Sequence, residues 1–173
     1  MLYIPVKPKE LILDPQNEFI GIDLGVRTFV TGIGDKTTVR IGDGFNNKLF
    51  NLIKRKHKIK NNDKIPQHIK DKNEFLINKK IKNNVNELHW KTIKFLITNY
   101  KNIFIGKLNV KSIVSGSISP IMKDLIHSLS FYKFRTRLEN KCDGHNINMK
   151  VINEMYKFIH LNVVRDVQIE KLI

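Results

Sequence analysis

A chain of 173 residues and 20.3 kDa has room for one domain with a sizeable core and too little for two comfortable ones. With 41% hydrophobic residues and a mean hydropathy of −0.29, no apolar run approaches the roughly 18 residues of a membrane span. Met1 to Pro8 also lack the apolar segment of a secretory signal, so membrane residence and export are set aside and an intracellular protein is expected, cytoplasm and nucleus both open.

Thirty-one Lys and Arg against 16 Asp and Glu leave a formal charge of +15, which points to a phosphate-rich partner, DNA or RNA. Base composition is a competing source of part of that charge. The chain has 25 Lys, 25 Ile, 19 Asn and no alanine, and the first three have AT-rich codons. Cys142 is the lone cysteine, so neither an intramolecular disulfide nor a Cys-based zinc site is expected. None of the six histidines forms a close i, i+4 pair with a nearby acid, and none is assigned to a metal.

In chain order, Phe19 to Leu24, Thr28 to Ile33 and Thr37 to Ile41 read as β-branched strands. They are separated by Gly25, Gly34-Asp35 and Gly42-Asp43-Gly44, the punctuation of a β-meander. From Phe45 to Lys60 the residues Phe45, Leu49, Leu52 and Ile53 recur at helical spacing, and the far end is strongly basic. Residues 61–72, with Pro66 inside, predict a connector. A long helix follows from about Glu74 to Asn99, with Ile77, Ile81, Val85, Leu88, Thr92, Phe95 and Leu96 on one stripe and Trp90 at its edge. Asn102 to Gly106 is short and β-branched and predicts a buried strand. After the loop Ser115-Gly116-Ser117, Ser119 and Pro120 make an N-cap and first turn. They open a helix to about Asn140 with a stripe of Met122, Leu125, Leu129, Tyr132 and Leu138. Asp143-Gly144 turns the chain into a strand, Asn148 to Glu154, with Met149 and Val151 on one face. A helix feeding a strand suggests α/β layering.

Asp23 is the sharpest chemical feature. It ends an otherwise apolar strand, Phe19-Ile20-Gly21-Ile22-Asp23-Leu24-Gly25, and a carboxylate buried there costs several kcal/mol unless a metal or a set of donors compensates. A metal or phosphate site is the functional expectation, a hydrogen-bonded structural Asp the plainer one.

Gly21 through Thr31 resembles the first RuvC motif of the TnpB (OrfB) proteins of insertion sequences. Leu88 to Leu96 and Ile103 to Lys111 resemble the family's helix and second motif. Leu129 to Arg135 and Lys141-Cys142 resemble its later helix, particularly in the Fanzor branch of eukaryotes and their large viruses. The similarity extends over residues 18–156. It implies an α/β, ribonuclease H-like (RuvC-like) mixed sheet flanked by helices, with a basic helical insertion at about 45–100. Residues 1–17 would be the remnant of a preceding region and 18–173 the nuclease domain. The actin and Hsp70 ATP-binding lobes also carry Asp-Leu-Gly. They require a second lobe and phosphate loop, and Val26-Arg27 stands where their Thr-Thr or Thr-Ser would be, so that alternative is the weakest.

The resemblance also implies a site. Family members hold Mg²⁺ or Mn²⁺ on acids, and two such ions about 4 Å apart activate water and stabilise the leaving oxygen of a phosphodiester. Asp23 would be the first ligand. The usual glutamate at the end of the second strand is replaced by Gly106, which shifts the expectation to Glu154 in Val151-Ile152-Asn153-Glu154, as in rearranged relatives. Val164-Arg165-Asp166-Val167-Gln168 resembles the last motif and makes Asp166 the third ligand. No Cys-x-x-Cys ribbon lies between them, so the zinc ribbon is read as deleted near residues 157–162 and no zinc is expected.

Lys54, Arg55, Lys56, Lys58 and Lys60 fall where the family places helices beside nucleic acid, with Arg135 and Arg137 on the later helix as further phosphate contacts. A solvated charged face is the ordinary explanation of such a run. The expected protein is thus a truncated relative of an RNA-guided, metal-dependent DNA endonuclease, binding DNA and, by resemblance, guide RNA. The family's N-terminal guide-binding regions have no room before Phe19, so autonomous guided cleavage is not expected. A catalytically inactive nucleic-acid-binding remnant is the alternative.

Overall fold

A computed structural model describes residues 15–152 and 169–172. Strands β1 (Asn17–Leu24), β2 (Val30–Gly34) and β3 (Thr38–Ile41) are followed by helices α1 (Phe45–Lys60) and α2 (Gln67–Asn99). Then come β4 (Tyr100–Gly106), α3 (Val110–Ser115), α4 (Pro120–Leu129), α5 (Phe131–Asp143), β5 (Asn148–Ile152) and β6 (Ile169–Leu172). The strands form one mixed sheet in the order β5-β4-β1-β2-β3-β6. The first three strands are antiparallel neighbours, as the meander predicts. β4 runs parallel to β1, β5 parallel to β4 and β6 parallel to β3. The α/β expectation therefore holds.

Alternation sets the register. Ile22 lies opposite Ile105 on one side and Gly32 on the other, and Gly32 in turn opposes Val39. Leu24, Val30 and Ile41 form the next row. Apart from Gly32, these side chains are buried on one sheet face, so a slip of one residue would expose all of them. The helices contribute Leu49 and Ile53 from α1 and Ile77, Ile81, Val85, Leu88, Ile93 and Leu96 from α2 to the same core. Between β3 and α1 the chain turns through two glycines, Gly42 at φ 71° and Gly44 at φ 74°. A Cβ on Gly42 would come within 2.9 Å of Phe29 Cβ, so that corner requires glycine on both counts.

Two helices depart from expectation. α2 starts at Gln67 rather than near Glu74. Proline is well suited to a helix start, where its fixed φ fits and its missing N–H costs nothing, and Pro66 at φ −57° takes the N-cap position. The connector shrinks accordingly. The first turns of α2 bury nothing, and Phe75 and Leu76 are exposed, so no apolar stripe announces them.

The single helix expected from Ser119 to Asn140 is two. Ser119 does cap α4, its Oγ accepting from Met122 N–H at 3.3 Å, but Ser130 adopts a left-handed conformation (φ 50°, ψ 50°) that ends α4 and starts α5. The break resets the helical phase. Phe131, Phe134, Leu138 and Cys142 become the buried face of α5, whereas Tyr132, expected on the stripe, is 73% exposed. In β5, Met149 packs against the core but Val151 does not.

Candidate nucleic-acid interface and acidic site

Asp23 stands on β1 with its side chain exposed. This corrects the expectation of a buried carboxylate. Ile20, Ile22 and Leu24 take the core face, so the intervening position is sent to the opposite one. The row Asp23, Thr31, Arg40 across β1, β2 and β3 is accordingly polar. No burial penalty has to be offset, and Asp23 can present its oxygens to a ligand. After it the chain is held by Gly25 N–H donating to the Phe29 carbonyl at 3.1 Å.

Phe29 anchors this end of the sheet. It stacks on Phe131 (5.8 Å between centroids) and His89 (5.3 Å) and meets Phe134 edge-on at 5.0 Å. His89 is fully buried, and its ring geometry fixes one neutral tautomer. Nε2 faces the Leu129 carbonyl at 2.9 Å and so donates, while Nδ1 faces an Arg137 N–H at 3.2 Å and so accepts. Burial above all pushes its pKa down to about 4; the Leu129 bond opposes that shift, and the positive charges of Arg137 and Lys133 add to it.

Gly106 ends β4 beside Asp23. A Cβ built on it lies 3.6 Å from Asp23 Oδ1 and 3.8 Å from the Ile22 carbonyl, ordinary contact distances. β5 pairs Ile152 with Gly106, and Lys107 N–H donates to the Ile152 carbonyl at 2.9 Å. The C-terminal ends of three parallel strands, β1, β4 and β5, thus share one edge of the sheet. Glu154 and Asp166 lie outside the described residues, as does the segment 157–162. Among the described residues no group of three or more His, Cys, Asp or Glu is arranged to hold a metal ion. What they offer a hard divalent cation is an oxygen donor of the right kind, Asp23, with a side-chain-free neighbour in Gly106.

Next to this edge opens a cleft of about 260 Å³, lined by Leu24 and Gly106 from the strand ends, Lys111 from α3, and Tyr132 and Arg135 from α5. Lys111 is exposed, and the Arg135 guanidinium lies 5.4 Å from the Tyr132 ring centroid. Lys111 and Tyr132 were not among the sequence candidates. An exposed tyrosine at this point depends on the phase reset at Ser130, which no residue pattern signals.

The basic positions separate into two groups. Lys54, Arg55, Lys58 and Lys60 are exposed along α1. Lys56 instead turns to α4, its Nζ 3.0 Å from Asp124 Oδ2, with His57 Nε2 at 3.1 Å from the same oxygen. Burial works against the charged carboxylate of Asp124, but hydrogen bonds and charge from Lys56 and His57 outweigh it and hold its pKa below the ordinary value. Arg137 is likewise engaged in packing, 5.0 Å over the Trp90 ring and bonded to His89.

Comparison with known proteins bears on this arrangement. A family model described as a probable transposase, OrfB_IS605, matches residues 3–117. The chain belongs to this family, the TnpB (OrfB) proteins. A protein of Acanthamoeba polyphaga mimivirus named as a transposase is 33% identical over 168 residues, covering 88% of this chain and 34% of its own length. TnpB-like proteins of the same virus are 30% identical over 166 residues, covering 88% of this chain and 31% of theirs. The chain therefore spans about a third of the length of the curated relatives it matches, and the resemblance to the TnpB proteins holds at the level of the family. Among the described residues, no helix is long and apolar enough to cross a membrane.

Proposed function

We propose that this TnpB-family domain is a ribonuclease H-like, metal-dependent module that binds DNA and cleaves phosphodiesters, or descends from one that did. The observation that carries the reading is Asp23, an exposed carboxylate on the central strand, beside the ends of β4 and β5 in a sheet ordered β3-β2-β1-β4-β5 with β6 appended. Convergence of strand ends is how an α/β sheet assembles acids that are distant in sequence. Asp23 would be one ligand, with Glu154 assigned by resemblance to rearranged relatives such as the Fanzor branch and Asp166 by resemblance to the family's last motif. Mg²⁺ or Mn²⁺, when bound, supplies the positive charge that polarises the scissile phosphate. The exposed cations of α1 hold the nucleic-acid backbone, and guide RNA is a further partner implied by the family.

Melting curves with and without Mg²⁺ or Mn²⁺ test this reading. A metal bound preferentially to the folded state raises the Tm, and Asp23→Asn removes that rise along with metal-dependent nicking of single-stranded DNA. An equal rise in parent and variant refutes the site.

A second reading, a nucleic-acid-binding domain without catalysis, is favoured by one observation: Gly106 occupies the strand end where the resembled family carries glutamate. It predicts salt-dependent binding with no nicking in the parent.

A further inference from the structure

The cleft beside Asp23 combines features that a phosphate-binding surface alone does not need. Tyr132 is 73% exposed, although burying an aromatic ring is among the largest apolar gains available to a fold. Its neighbour one turn on, Arg135, holds a guanidinium 5.4 Å from the ring centroid, within cation–π range. Exposed Lys111 lines the same cleft. Leu24 and Gly106 also line it, and a Cβ on Gly106 would lie 3.6 Å from Asp23 Oδ1, which ties the cleft to the strand ends beside Asp23. An exposed aromatic ring with a guanidinium over one face, a second cation and an apolar lining match the stacking platforms of single-strand-binding proteins, in which a base lies on an aromatic ring while basic side chains follow the phosphates.

We propose that Tyr132 is a base-stacking platform for a single strand of nucleic acid, with Arg135 and Lys111 contacting the flanking phosphates, so that the strand is laid toward Asp23. The inference rests on the nucleic-acid reading above and adds to it a subsite, a strandedness preference and two residues, Tyr132 and Lys111. The αL turn at Ser130 is what builds it. In a continuous helix Tyr132 would share the buried stripe of Leu125 and Leu129; after the reset Phe131 and Phe134 take the core and Tyr132 is turned outward. The charge of the cleft suits the backbone of a strand, and its apolar lining suits a base edge.

The experiment uses the full chain and fluorescence anisotropy with oligo(dT), oligo(U) and a DNA duplex, together with an oligonucleotide carrying 2-aminopurine, whose emission falls on stacking. Tyr132→Ala should weaken single-strand binding about tenfold, the effect of losing one aromatic–base stack, and abolish the 2-aminopurine quenching. Tyr132→Phe should retain both. Duplex binding should be unchanged in either variant. Arg135→Ala should lower the salt slope by about one without removing the quenching. A tighter fit of oligo(U) than of oligo(dT) assigns the strand to RNA, the reverse to DNA. If the parent binds single strands and Tyr132→Ala binds them equally, or if single strands and duplex lose equally, the platform is overturned while nucleic-acid binding stands. If the parent binds no nucleic acid, both fall. Unchanged melting of Tyr132→Ala, expected for so exposed a ring, separates lost binding from lost folding.

Discussion

Gly106 and Asp23 are neighbours across the parallel pair β1 and β4, and the space a side chain on Gly106 would fill ends 3.6 Å from Asp23 Oδ1. The two positions therefore share one pocket of space, and the missing Cβ leaves Asp23 open on that side. Because the added methyl meets only ordinary contacts, Gly106→Ala should be tolerated. It should raise stability by about 0.4–1 kcal/mol through the lower entropy of the unfolded chain. Urea unfolding measures it, and a loss of more than about 1 kcal/mol would mean the strand end is tighter than this geometry allows.

His89 makes stability depend on pH. Its folded pKa of about 4 lies below the ordinary 6.5, so the unfolded chain takes up a proton there first. The stabilisation is complete above about pH 6.5, is lost as pH falls toward 4, and amounts to something on the order of 3 kcal/mol. His89→Phe fills the same stacked position between Phe29 and Phe134 without titrating. Denaturation at pH 7 and pH 4.5 should show a smaller loss in the variant than in the parent. Equal losses would place the acid sensitivity elsewhere.

The two groups of basic residues on α1 should respond differently. Replacing exposed Lys54, Arg55 and Lys60 with Ala removes up to three phosphate contacts and should flatten log K against log salt by about 0.9 per contact on duplex DNA, with little change in stability. Lys56→Ala breaks the pairing of α1 to α4 at Asp124. It should cost up to about 1 kcal/mol, reduced by the partial exposure of that carboxylate, and leave the salt slope nearly intact. A large slope change on Lys56→Ala would show that its Asp124 pairing gives way to phosphate.

The meander was legible because Gly-Asp and Gly-Asp-Gly punctuate strands of alternating apolar residues, and α1 because Leu49 and Ile53 recur on one face above a basic end. The first turns of α2 were not, since helix there is set by Pro66 and continuation rather than by burial. Ser130 was illegible for a different reason: a non-glycine residue at φ 50° carries no compositional mark, and the position of Tyr132 follows from it. Asp23 was legible as the acid of the first strand but was expected to be buried, and it is exposed. An apolar run invites burial of everything in it, whereas a two-residue period buries only Ile20, Ile22 and Leu24. Glu154 and Asp166 rest on family resemblance.

Resemblance assigns the second carboxylate to Glu154, and the geometry at Gly106 allows that assignment to be tested by transplantation. If a metal bound at Asp23 needs one more anionic ligand, Glu154→Gln should abolish metal-dependent nicking and the Mg²⁺-induced rise in Tm, because it deletes a charge while keeping the shape. A glutamate introduced as Gly106→Glu starts 3.6 Å from Asp23 Oδ1 and should partly restore both in the Glu154→Gln background. Without metal, the same Gly106→Glu change sets two carboxylates side by side and should lower the Tm by like-charge repulsion. The gain in Tm on adding Mg²⁺ should therefore be larger for Gly106→Glu than for the parent, and Asp23→Asn should cancel the difference. Full nicking in Glu154→Gln would remove Glu154 from the site, while restoration by Gly106→Glu that survives Asp23→Asn would show that the introduced acid acts independently of β1.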